Sequence, residues 1–111
     1  METKPVIHMV AARCQPEVEG KFNKWYNETH VPMLLKFDGL KGVTRYKILK
    51  STEAYPEYLV IYEFDSREAF EAYESSPELT AALEEMRDTW KEGGYETVWR
   101  VQYEPLKTWR K

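Results

Sequence analysis

The chain has 111 residues, 42% hydrophobic and 32% charged, which suits one compact domain over residues 1–111. Its 16 basic and 19 acidic residues give a net charge of −3, and no basic stripe is long enough to follow a nucleic-acid backbone. The apolar run near the N-terminus is far shorter than the roughly 18 residues of a membrane span and lacks a signal-peptide cleavage pattern. With Cys14 as the single cysteine, we expect a cytoplasmic protein without a disulfide, a nucleic-acid partner or a membrane partner.

The first two predicted elements are a buried strand and a long helix. Residues 6–13, VIHMVAAR, are apolar on both faces, which is typical of a strand covered on both sides. Residues 16–37 begin with a proline, which is favoured in a first helical turn. At 100° per residue, Tyr26 and Met33 fall on the apolar face of this helix with His30 beside them, so we expect the His30 side chain to point inward.

The rest of the chain alternates between strands and helices. Two strands are predicted at 43–49 and 58–64, helices begin near Asp65 and at Ser76, and the last strand runs from Tyr95 to Pro105. The resulting order, βαββαβ, is that of the ferredoxin-like split βαβ fold. We therefore predict an α+β protein with a four-stranded antiparallel sheet and both helices on one face.

The second face of this sheet is too apolar to be left in water. The predicted strands place one apolar set on one side, Tyr46, Tyr58, Tyr62, Trp99, Val101 and Tyr103, and another on the other side, Val43, Leu59, Ile61 and Val98. Helices can cover only one of these faces, and a monomer rarely exposes a large apolar patch. We expect a homodimer that pairs through its sheets.

A segment from Trp25 to Ile48, WYNETHVPMLLKFDGLKGVTRYKI, resembles EthD-like members of the dimeric α+β barrel superfamily. Its W-x(4)-H-x-P spacing precedes a glycine-containing turn and a GV strand, as in that family. The resemblance implies a ferredoxin-like subunit, pairing through the sheets, and a pocket for a small, often aromatic or polyketide-like molecule. It does not fix the reaction, because related proteins include isomerases, decarboxylases, cyclases, cofactor-free monooxygenases and haem-handling proteins.

His30 is the candidate catalytic residue. An inward imidazole among aromatic side chains has the features of a general base in a dry pocket. It could remove a proton next to a carbonyl, or from a phenol, and tyrosines of the sheet could then donate hydrogen bonds to the resulting oxyanion, with Tyr46, Tyr58, Tyr62 and Tyr103 as the candidates. We expect Trp25 and Tyr26 to stack on a flat aromatic or ketonic substrate.

Pro32 should disturb the helix beside His30, because proline cannot donate to the carbonyl of Glu28 and biases Val31 away from helix. A bend or break here could free a carbonyl that orients the imidazole.

Three other interpretations stay open. His30 could be a core residue, the protein could be a non-catalytic dimer that binds a small molecule or is structural or regulatory, or it could be a haem-binding or monooxygenase-type protein with His30 as an axial haem ligand. The haem-degrading relatives carry a histidine on the later helix, and residues 65–94 contain none. No metal-binding, phosphate-binding or nucleophile motif is present in the sequence. We expect His8, in the first strand, to be structural. The favoured function is a cofactor-independent lyase or isomerase with neither metal nor cofactor.

Overall fold

A computed structural model describes residues 4–111 and contains one antiparallel sheet of four strands. The strands are β1 (Val6–Cys14), β2 (Leu40–Lys47), β3 (Tyr58–Phe64) and β4 (Tyr95–Tyr103). Their order across the sheet is β2-β3-β1-β4, and every neighbouring pair is antiparallel. This is the ferredoxin-like α+β topology, and the predicted fold class is confirmed.

The helical segments lie between β1 and β2 and between β3 and β4. The first connection contains a 3-10 turn (Pro16–Val18), α1 (Glu19–Trp25), a π-helical turn (Tyr26–His30) and α2 (Val31–Leu34); the second contains α3 (Arg67–Glu74) and α4 (Pro77–Thr89). Ser66 and Ser76 cap α3 and α4, since each side-chain oxygen accepts a backbone N–H three residues later. Among residues 4–111, no helix combines the length and apolarity needed to cross a membrane.

The core lies between the helices and one face of the sheet. Alternate residues of β3 are buried, namely Tyr58, Val60, Tyr62 and Phe64, and β1 contributes Val6, His8, Val10 and Ala12 directly opposite them. From the helices, Phe22 and Leu34 are almost completely buried. The packing is strongly aromatic, with Phe22 in edge or tilted contact with four other rings.

The predicted grouping of strand faces is wrong for β2 and for the end of β4. Tyr46 pairs with Leu59, and Trp99 pairs with Ala11, so both lie on the face away from the helices. Val101 and Tyr103 share that face, whereas Val43 pairs with Tyr62 on the helix side. Alternation within a strand is readable from sequence, but the relative phase of two strands depends on their register and on the irregularities after Leu40 and Ala11.

Candidate functional site

A cavity of about 370 Å³ lies between the helices and the β1–β4 half of the sheet. Its lining is mainly aromatic and aliphatic, with two histidines and a few polar groups. The sheet contributes His8, Val10, Tyr62, Tyr95, Thr97, Arg100 and Gln102; the helical segments contribute Tyr26, His30, Leu34, Phe70, Tyr73, Glu74, Leu79, Leu83 and Met86. This size and this mixture are typical of sites for small organic molecules.

The π-helical turn Tyr26–His30 sets the position of His30. The N–H of Val31 donates to the carbonyl of Tyr26, five residues back, so the hydrogen-bond ladder widens just before Pro32. The helix does not break at Pro32, because Val31 has helical angles, φ −62° and ψ −45°, and α2 continues through Pro32. The helix accommodates the missing N–H of proline by this register change instead of ending. Single-turn π-bulges of this kind are frequent at functional sites.

The His30 ring lines the cavity but is held by aromatic contacts instead of a hydrogen bond. It stacks on Trp25 with ring centroids 4.6 Å apart and meets the edge of Tyr26 at 5.1 Å. Nδ1 is sealed and has no hydrogen-bond partner among residues 4–111, so the expected orienting carbonyl is not there. Nε2 is left as the nitrogen that can reach a bound molecule. Burial, and secondarily the positive charge of Arg100, lowers the pKa of His30 to about 4 against the opposing effect of Glu85.

His8 also lines the cavity, although its sequence context predicted a structural role. Its side chain is buried beside Phe70, with ring centroids 5.1 Å apart. Nε2 of Gln102 lies 2.9 Å from Nδ1 of His8. Because an amide nitrogen only donates, the neutral ring carries its proton on Nε2. Burial, with a contribution from Arg100, lowers the pKa of His8 to about 4. The one sequence signal for this residue was a polar side chain in an otherwise apolar strand.

Tyr26 and Tyr62 both line the cavity and are almost fully buried. Burial raises the pKa of Tyr26, and it raises the pKa of Tyr62 well above its usual value. The pKa values of Tyr73 and Tyr95 are raised for the same main reason. All four hydroxyls therefore stay protonated at neutral pH and can donate hydrogen bonds.

Trp25 and Tyr46, which were predicted to contact substrate, lie outside the lining of the cavity. Trp25 is buried behind His30, and its Nε1 donates to Glu85 at 2.7 Å, so one face of the indole holds the imidazole and not a ligand. Tyr46 is 49% exposed on the opposite face of the sheet. Tyr58 and Tyr103, the two other tyrosines considered as donors, are also outside the lining. Of the seven candidate residues, the structure thus brings together three, His30, Tyr26 and Tyr62.

Arg45 of β2 braces the helix that carries the site. Its guanidinium donates to Asn23 and Asn27 at 2.8 Å each and lies 4.7 Å from the centre of the Tyr26 ring. These contacts tie both turns of the helix around Tyr26 to the sheet. They hold one wall of the cavity in place.

Within the described residues 4–111, two charged side chains line the cavity, Arg100 and Glu74, and both residues are exposed. They therefore mark the end of the cavity that opens to solvent. Arg100 projects from β4 on the helix side, since it pairs with Val10 of β1. Its charge acts on both histidines and helps to lower their pKa values.

The comparisons with known proteins agree with this fold. A family model described as domain of unknown function (DUF4286) matches residues 5–104. No curated protein matches the chain. An ethyl tert-butyl ether d (EthD) family protein from Bacillus halodurans is 19% identical with a TM-score of 0.67, covering 91% of this chain and 99% of that one. The resemblance to EthD-like proteins is thereby confirmed at the level of the fold.

Two further solved structures have the same architecture. A dimeric ferredoxin-like protein of unknown function from Thermobifida fusca is 16% identical, with a TM-score of 0.63 over 94% of this chain and 92% of that chain. SnoaB, a cofactor-independent oxygenase from Streptomyces nogalater, is 12% identical, with a TM-score of 0.63 over 98% of this chain and 100% of that chain. At these identities the likeness concerns the fold, which hosts several chemistries.

Proposed function

We propose that this chain, which belongs to the DUF4286 family, described as a domain of unknown function, binds a small planar organic molecule in the cavity beside His30. The observation that carries this proposal is a cavity of about 370 Å³ lined by aromatic rings together with two neutral imidazoles. Aromatic walls favour a flat ligand of aromatic or ketonic character. Protonated tyrosines and the His8 ring supply hydrogen-bond donors for its oxygen atoms.

We further propose that His30 transfers a proton to and from this molecule, as in a cofactor-independent lyase or isomerase. A pKa of about 4 keeps the ring neutral at pH 7, so a nitrogen lone pair is available to accept a proton. The imidazolium so formed would be unfavourable alone in this buried position. An enolate or phenolate formed in the same step lies beside it, and the two opposite charges stabilise each other.

Proton abstraction can be tested directly with a simple ketone. The probe 2-acetylnaphthalene carries exchangeable hydrogens next to its carbonyl, and their replacement by deuterium in D₂O is followed by NMR. We expect the protein to accelerate this exchange, His30→Gln to abolish the acceleration, and Tyr46→Phe, on the far face of the sheet, to retain it. Rate enhancements by one positioned acid–base group are about 10² to 10⁴.

The result would separate the two candidate functions. Exchange that persists in folded His30→Gln would contradict the catalytic role of His30. Binding of the ketone without any accelerated exchange would favour the alternative, a non-catalytic binding or regulatory protein. NMR of the protein with ¹⁵N-labelled imidazoles tests binding independently of exchange, because a ligand in the cavity must shift the signals of His8 and His30.

We also propose that the protein acts as a homodimer that pairs through the open faces of its sheets. That face carries Ile61, Trp99, Val101 and Tyr103, and Trp99 and Tyr103 are 40% and 57% exposed. Adjacent exposed apolar side chains on one sheet face often mark an interface. The Thermobifida fusca neighbour is described as dimeric.

Sedimentation of the wild type should give twice the chain mass of 13.2 kDa. Val101→Asp should shift it to monomer, whereas Ala81→Asp, on the exposed side of α4, should not. A folded wild-type monomer at micromolar concentration would exclude the dimer.

A further inference from the structure

Arg100 carries a positive charge at the opening of the cavity. Its side chain takes part in no ion pair or side-chain hydrogen bond among residues 4–111. Glu74, the other charged residue of the lining, lies beyond ion-pair distance from it. Arg100 is nevertheless on the helix side of β4, next to Gln102 and opposite Val10, so it faces the cavity and not the open sheet face.

Apart from Glu74, the other polar groups of the lining are neutral. Gln102 Nε2 donates to His8, which leaves the proton of His8 on Nε2, and the buried Tyr62 hydroxyl is protonated. Neither histidine carries charge at pH 7. Among residues 4–111, the lining therefore holds one unpaired cation, several neutral donors and a single carboxylate, Glu74, at its rim. Such a surface attracts a ligand with an anionic oxygen.

We propose that the molecule bound in the cavity is an aromatic or enolic carboxylate, and that Arg100 sets this specificity by pairing with the carboxylate at the cavity opening. The guanidinium offers two parallel N–H donors that match a carboxylate. The planar part of the ligand then extends inward along the rings of Phe70, His8 and His30, which line the cavity. This inference rests on the proposed function, because it names the substrate class of the same cavity.

A matched pair of probes tests the inference. The anion 2-naphthoate and the neutral 2-naphthamide have nearly the same shape, and either is small enough for a cavity of about 370 Å³. Isothermal titration calorimetry should show that the wild type binds the naphthoate about tenfold more tightly. Because Arg100 is exposed, this preference should shrink at high ionic strength.

Three variants locate the effect. Arg100→Gln should remove the preference by weakening naphthoate binding while leaving naphthamide binding unchanged. Glu74→Gln should keep or increase the preference, because it removes the carboxylate of the rim. Arg87→Gln, in the last turn of α4 and outside the lining, removes the same charge elsewhere and should behave as wild type.

The outcomes distinguish the two proposals. Naphthamide binding with no preference for naphthoate, or a full preference in folded Arg100→Gln, would overturn the assignment of Arg100 and leave the small-molecule site intact. Failure of the wild type to bind either probe would overturn both. Loss of the preference in Arg100→Gln alone, together with shifted His8 and His30 signals on naphthoate binding, is the result that we expect.

Discussion

The stability of this protein should fall steeply between pH 7 and pH 5, because its two histidines are buried as neutral rings. The pKa of each is lowered from 6.5 to about 4, mainly by burial. As the pH falls below 6.5, both histidines bind a proton in the unfolded chain but stay neutral in the folded chain until the pH approaches 4. The stabilisation is therefore complete above about pH 6.5 and is lost progressively as the pH falls from 6.5 to about 4, below which both states bind the protons.

The size of the effect follows from the two pKa values. Between a folded pKa of about 4 and an unfolded pKa of 6.5, lowering the pH from 7 to 5 costs about 2 kcal/mol for each histidine. Both together cost about 4 kcal/mol, which is a large part of the roughly 5 to 15 kcal/mol that stabilises a typical domain. Carboxylates titrate mostly below this range, so the histidines should dominate it.

Urea unfolding at pH 7, 6 and 5 and one fixed protein concentration measures this loss. His30→Gln should retain about half of the pH dependence, and the double variant His8→Gln/His30→Gln should be nearly flat. If the double variant unfolds too easily, NMR titration of the wild type gives both pKa values directly. A wild type with the same unfolding free energy at pH 7 and pH 5, or an imidazole that titrates near 6.5, would refute the reasoning.

Two other predictions concern packing and capping, and urea unfolding at pH 7 tests both. A Cβ on Gly39 would lie 2.8 Å from the Phe37 ring and 2.9 Å from Cβ of Ala69, so Gly39→Ala should lower the free energy of unfolding by about 1 to 3 kcal/mol. Gly20 lies in open space on α1, so Gly20→Ala should raise it by about 0.5 to 1 kcal/mol. Equal effects of these two alanines would contradict the packing. Ser76→Ala should cost about 1 kcal/mol or more, because it removes the cap of α4 and a hydrogen bond to the Tyr73 carbonyl. An unchanged unfolding midpoint would show that this cap contributes nothing.

Elements with strong local signals were predictable from the sequence. The strand at 58–64 has the bounds that its β-branched and aromatic run indicates. The α4 helix begins at the predicted Ser76 cap and Pro77, and Gly93 and Gly94 follow it with positive φ values of 78° and 116°. Each of these features depends on residues that are adjacent in the chain, which is why a single sequence contains them.

Features that depend on register were not predictable. The phase of Tyr46 relative to Tyr62 is set by the pairing of β2 with β3 and by the irregularity after Leu40. A shift of one residue moves a side chain to the opposite face, and the sequence signal for a bulge is weak. Tyr46 was therefore assigned to the site although it lies on the open face of the sheet.

The candidate site depends partly on residues that are close in sequence and partly on contacts between distant segments of the chain. The spacing from Trp25 to Pro32 identified His30 as a candidate. Pro32 indicated only that the backbone hydrogen bonds of the helix must change nearby, and the π-helical turn is one of several ways to accommodate a proline. His8 and Arg100 enter the cavity because β1 pairs with β4, a contact between distant parts of the chain. Such residues are found only when the sheet is assembled.

The two imidazoles of the cavity are prepared for different roles. Gln102 fixes the tautomer of His8, so this ring can donate from Nε2 but cannot exchange its proton without losing a hydrogen bond. Nδ1 of His30 has no hydrogen-bond partner in the described part of the chain, so neither tautomer of that ring is locked by the protein. A ring that accepts a proton needs a free nitrogen lone pair, which His8 lacks because Gln102 occupies its Nδ1 and its Nε2 carries the proton, whereas His30 presents one on Nε2 when its proton lies on Nδ1. A fixed N–H donor instead suits a group that binds an oxygen atom. The surroundings of the rings therefore favour His30 for proton transfer and His8 for holding the ligand, even though burial lowers both pKa values to about 4.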